Sequence, residues 1–87
     1  MKIAVWDTYV NRKDGLLMHF DILVSDKIKD KDQIFEYGKT YLNTKPFETF
    51  NITSDECRFC HIEKASSEVT NLIETKGYAI IEMENCH

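Results

Sequence analysis

With 87 residues, the chain has material for one hydrophobic core, so residues 1–87 are read as a single domain. Its formal net charge of −4, with lysines scattered rather than clustered, excludes the basic stripe that nucleic-acid binding needs. The 43% hydrophobic content argues against disorder, yet no stretch approaches the roughly 18 apolar residues of a membrane helix.

Met1-Lys2-Ile3-Ala4-Val5-Trp6-Asp7 meets an acid too early for a signal peptide, so a cytoplasmic protein is expected. In a reducing compartment, three cysteines point to free thiols or metal ligands rather than a disulfide framework.

Residues 2–10 and 16–24 are rich in β-branched and aromatic types, and Asn11-Arg12-Lys13-Asp14-Gly15 between them ends in a turn-forming Asp-Gly pair. The pattern predicts a β-hairpin. In its second strand Leu16, Met18, Phe20, Ile22 and Val24 share a core face, leaving Leu17, His19, Asp21 and Leu23 on the other. If Trp6 joins the core, Val5, Asp7 and Tyr9 join His19, Asp21 and Leu23 on the opposite face. That surface mixes ionisable and apolar groups.

Asp30 with Gln33 fits a capping box, and Ile34, Phe35, Tyr37, Tyr41 and Leu42 approximate one buried stripe, predicting a helix over 30–42. Gly38 inside it costs about 1 kcal/mol relative to alanine, which implies close packing there unless the boundary lies elsewhere. Residues 43–53 contain the single proline, Pro46, and read as a loop with an extended piece over 47–52; the conformation of 44–56 is not defined by any period. A third strand is expected at 57–63. A second helix follows at about 67–76, capped by Ser66 or Ser67 and stopped by Gly77. A last strand over 78–83 and a polar tail, Glu84-Asn85-Cys86-His87, complete the chain. The expected fold is α+β, ordered ββαβαβ, with a parallel crossover giving a mixed sheet of about four strands and two helices on one face.

Two constellations carry chemical vocabulary. Cys57-Arg58-Phe59-Cys60-His61 offers thiols and an imidazole that suit zinc, with His19, Cys86 and His87 as further donors. Against zinc, no second CxxC is present, and in an extended strand Cys57 and Cys60 point to opposite faces. A haem-attachment reading would need export, and a redox dithiol would need a helix start at the first cysteine; neither condition is met. Buried strand thiols remain the plainer reading. The second constellation is Asp7, His19 and Asp21, with Tyr9 beside them and His61 and Glu63 joining from a neighbouring strand. If Asp7 faced His19 across the hairpin, carboxylate and imidazole could do acid/base work; ordinary polar residues on an open sheet face are the alternative.

The stretches Ala4 to Val10, Arg12-Lys13-Asp14-Gly15, Met18 to Val24, Glu56 to Glu63, Lys76-Gly77-Tyr78 and Ile80 to Met83 together resemble the small bacterial proteins of the domain of unknown function 2024 family. The resemblance spans nearly the whole length. It implies a small α+β fold and brings no activity, cofactor or catalytic residue with it.

The expectation is therefore a ligand-binding or protein-interaction module without a cofactor, using the open face of Asp7, Tyr9, His19, Asp21, His61 and Glu63. The alternative is a zinc protein, enzymatic or not, built on Cys57, Cys60 and His61. The apolar Val5, Tyr9 and Leu23 on that face suggest a homodimer.

Overall fold

Alternation makes the first two segments strands, and the Asp-Gly turn makes them neighbours. The computed structural model, which describes residues 1–87 apart from the side chain of Ser54, pairs β1 (Lys2–Asn11) antiparallel with β2 (Leu17–Ser25). Gly15 takes φ +94° in the turn, the left-handed conformation for which glycine pays least. β3 (Cys57–Lys64) adds antiparallel to β1, and β4 (Ala79–Glu84) antiparallel to β2, giving the order β3-β1-β2-β4.

The α+β class, four strands and ββαβαβ order follow the sequence reading. Two details are corrected. The sheet is wholly antiparallel rather than mixed, because β3 and β4 occupy opposite edges instead of adjoining one another. Helix α2 (Ser67–Lys76) therefore carries the chain across the sheet from edge to edge. Ten helical residues span about 15 Å, close to the roughly 14 Å of three inter-strand spacings.

The helices also lie on opposite faces, not on one. Helix α1 (Lys31–Leu42) packs Ile34 with Ala4, Trp6, Val10, Met18, Phe20, Ile22 and Val24. Ile73 of α2 packs instead with Ile3, Val5, Leu23 and Ala79. Successive strand residues face opposite ways, so each apolar set calls for its own cover. The apolar residues that suggested a homodimer thus have an occupant within the chain: α2 covers Val5 and Leu23. It leaves Tyr9, 46% exposed, beyond its reach.

Asp30 caps α1 by accepting from the Asp32 amide. The expected capping box is incomplete, because the Gln33 side chain donates to the Tyr37 hydroxyl instead of returning to the cap. A Cβ on Gly38 would stand 3.2 Å from Ile22 Cδ1, so this glycine does mark close helix–sheet contact. Ser66 caps α2 through the Val69 amide, and Gly77 ends it at φ 92°. The extended piece expected over 47–52 reduces to a bridge between Arg12 and Thr49, flanked by hydrogen bonds from Lys13 N to Glu48 O and from Phe50 N to Asn11 O.

The polar tail is docked rather than free. Arg12, 7% exposed, donates to the carbonyls of Asn85 and His87 and lies over the Phe47 ring at 3.7 Å. Cys86 is buried in the α1-side core. Among the described residues, no helix is long and apolar enough to cross a membrane.

Candidate functional site

The site begins with a register. Pairing of β1 and β2 sets Asp7 directly opposite Asp21 and Tyr9 opposite His19, not Asp7 opposite His19 as one sequence reading required. Like charges directly opposed in a sheet are destabilising. Here they stand on the two central strands, on the face that α2 covers only at its Val5–Leu23 end.

His19 completes a triangle with them. Its Nε2 lies 3.3 Å from Asp21 Oδ1 and 4.0 Å from Asp7 Oδ1, while Tyr9 stacks on the imidazole with centroids 4.2 Å apart and planes 10° from parallel. The stack holds the ring plane, so Nε2 stays directed at the acids. The His19 and Asp21 side chains are each 15% exposed and that of Asp7 34%. His19 Nε2 and Asp21 Oδ1 are both buried without a hydrogen-bond partner; they are close but not aligned to bond one another. A buried polar atom left unpaired costs about 1–3 kcal/mol. Burial first, then the facing Asp7 carboxylate, pushes Asp21 up from its ordinary 3.8 to about 6, against the opposing pull of His19.

The edge strand supplies a second tier. His61 stands opposite Val5 and Glu63 opposite Ile3, on the same face, and a bulge between Val5 and Trp6 makes Cys60 an extra residue. His61 Nε2 is 3.4 Å from Glu63 Oε2, and its Nδ1 is 3.1 Å from Cys60 Sγ. Both side chains are about half exposed. Asp7, His19 and Asp21 bring their ligand atoms within 4.8 Å of one another, the one such trio found among the described residues. His61 and Glu63 flank it without joining.

The structure does not gather Cys57, Cys60 and His61 about one point. Cys57 is buried in the core beneath α1, opposite Thr8. Cys60 is exposed, and desolvation followed by the nearby Asp7 carboxylate pushes its thiol pKa up. Burial raises that of Cys57 as well. Raised thiols are poor nucleophiles, and the strand geometry that separates the two side chains is the one anticipated from their odd spacing. Sequence reading missed the approach of Cys60 to Asp7, because a bulge has no signature in this stretch. Arg58 was also passed over; it stands at the register position opposite Asp7, yet makes no ion pair with it among the described residues.

The family model described as Domain of unknown function (DUF2024) matches residues 1–83. The chain belongs to this family. A solved structure similar to it is the NMR structure of protein NE1680 from Nitrosomonas europaea, 45% identical, with a TM-score of 0.85 and complete coverage of both chains. No curated protein matches the chain. The family and its bacterial neighbour thus agree with the fold and with the resemblance read from the sequence, and neither assigns a reaction.

Proposed function

We propose that this DUF2024 protein is a small ligand-binding module whose site is the uncovered half of the α2-side sheet face, centred on Asp7, His19 and Asp21. One observation carries the reading: a part-buried acid and a part-buried imidazole, each with a buried unsatisfied atom, converge beside a second carboxylate on the two central strands. Structures retain such unsatisfied polar groups where something other than stability requires them. Two facing carboxylates favour a ligand that brings positive charge.

Around this centre, Tyr9 offers an exposed aromatic edge and Ile81 stands across from Asp21 at 40% exposure. His61 and Glu63 form a polar rim. An apolar groove of about 500 Å³ runs along Ala4, Trp6, Ile28, Phe59 and Ile62 on the α1 side, without a comparable convergence of titratable groups. The site is open rather than enclosed, which suits binding better than chemistry that must exclude water.

Amide spectra of the labelled protein, recorded against a panel of small amines, guanidinium compounds and metal ions, test this. Shifts concentrated on residues 7, 9, 19 and 21 are expected. Shifts confined to the Trp6–Phe59 groove would move the site to the other face.

A further inference from the structure

Resting on that reading of the open face, we infer that Asp7, His19 and Asp21 form a three-ligand site for a divalent first-row transition ion, with coordination positions left open toward solvent.

The argument is one of distances and donor chemistry. A zinc ion holds nitrogen and carboxylate oxygen at about 2.0–2.2 Å, so neighbouring ligand atoms around it stand roughly 3 Å apart. His19 Nε2 and Asp21 Oδ1, at 3.3 Å, already have that separation. Asp7 Oδ1, at 4.0 Å from Nε2, needs to close by less than an ångström, and its side chain, one-third exposed, has room for a rotamer adjustment. A ligand set of one imidazole and two carboxylates suits Zn²⁺, Fe²⁺ or Mn²⁺; it lacks the thiolates that select Cu⁺ and the crowd of oxygens that Ca²⁺ takes.

The burial of the two closest donor atoms adds to this. His19 Nε2 and Asp21 Oδ1 stand 3.3 Å apart and both atoms are shut off from water. An imidazole nitrogen and a carboxylate oxygen this close, with a second carboxylate 4.0 Å from the nitrogen, are donors that a cation between them would satisfy. The Tyr9 stack supplies the orientation a metal-binding imidazole needs, a role usually taken by groups outside the ligand set. Three protein ligands on an open sheet face leave room for water or for an anionic group of a further molecule.

The test uses the full chain, stripped with chelator and desalted. Co²⁺ alone is followed by its visible absorption, and Mn²⁺ alone by broadening of amide signals. Expected are one equivalent of Co²⁺ bound and Mn²⁺ broadening centred on residues 7, 9, 19 and 21. Asp21→Asn and His19→Ala should each weaken Co²⁺ at least about tenfold, while Cys60→Ser and His87→Ala change it less than about twofold, as expected of residues outside the ligand set. Broadening centred on Glu63 or on His87, or a Co²⁺ affinity indifferent to Asp21→Asn, would overturn the metal site. Absence of binding at millimolar Co²⁺ would overturn it too; shifts at the same amides from an organic cation would then show that the binding face survives without the metal.

Discussion

Asp21 is the residue at which fold and function pull apart. Its carboxyl is raised by burial and by the Asp7 carboxylate opposite it, so its titration should respond to that neighbour. In Asp7→Asn, carboxyl carbon shifts should show the Asp21 midpoint falling from about 6 toward the ordinary range, without reaching it because the burial remains. An unchanged midpoint would mean that burial acts alone. Arg12 is the structural counterpart, a buried guanidinium that ties the C-terminal carbonyls to the hairpin and stacks on Phe47. Arg12→Ala frees the tail and leaves those carbonyls unpaired, with an expected loss of about 2–3 kcal/mol in urea unfolding. The sequence displayed Arg12 only as one charge in a polar loop, since the tail carbonyls it holds lie more than seventy positions away.

Among the elements, α2 decides how much of the sheet face is open. Its single buried side chain, Ile73, meets Ile3, Val5, Leu23 and Ala79, so Ile73→Ala should cost about 2–4 kcal/mol. It should also raise hydrogen exchange across residues 67–76 ahead of the hairpin. Gly77 terminates the helix in the left-handed region, and a Cβ there would stand 2.8 Å from the Tyr37 hydroxyl. Gly77→Ala is therefore expected to lose about 1–2 kcal/mol, measurable by the same unfolding curves. These local devices were legible: a serine before Glu68, a glycine after Lys76 and the alternation of β2 place the elements within a residue or two. Their arrangement was not. Val69, Leu72 and Ile73 announce an apolar stripe on α2 but not which face of the sheet receives it, because both faces of β1 carry apolar residues at the Ile3–Trp6 end. Once Trp6 is placed in the core, alternation groups Asp7, Tyr9, His19 and Asp21 on one face, as the register has them. The pairing of acid with acid depends on the hairpin register, which a loop with several turn solutions leaves open.

At the scale of the molecule, a small antiparallel sheet packs its larger core cluster against α1 on one face and a smaller one against α2 on the other, and the part of that second face beyond α2 holds Asp7, His19 and Asp21. That is the pattern expected when binding, rather than stability, selects the residues. The central claim is that Asp21 is retained at a cost to the unliganded fold. Its folded-state pKa, about 6, lies above its ordinary 3.8, so between these values the folded chain holds more protons than the unfolded one. Stability from this group therefore falls as pH rises through that window, and the deficit is complete above it. The direct measurement is urea unfolding of wild type and Asp21→Asn in chelator, from pH 4 to pH 8. The account predicts that the variant gains on the wild type as pH rises and is more stable by about 1 kcal/mol at the upper end. A variant less stable than the wild type at pH 8 would show that Asp21 supports the fold and would contradict the assignment of this face as a binding site.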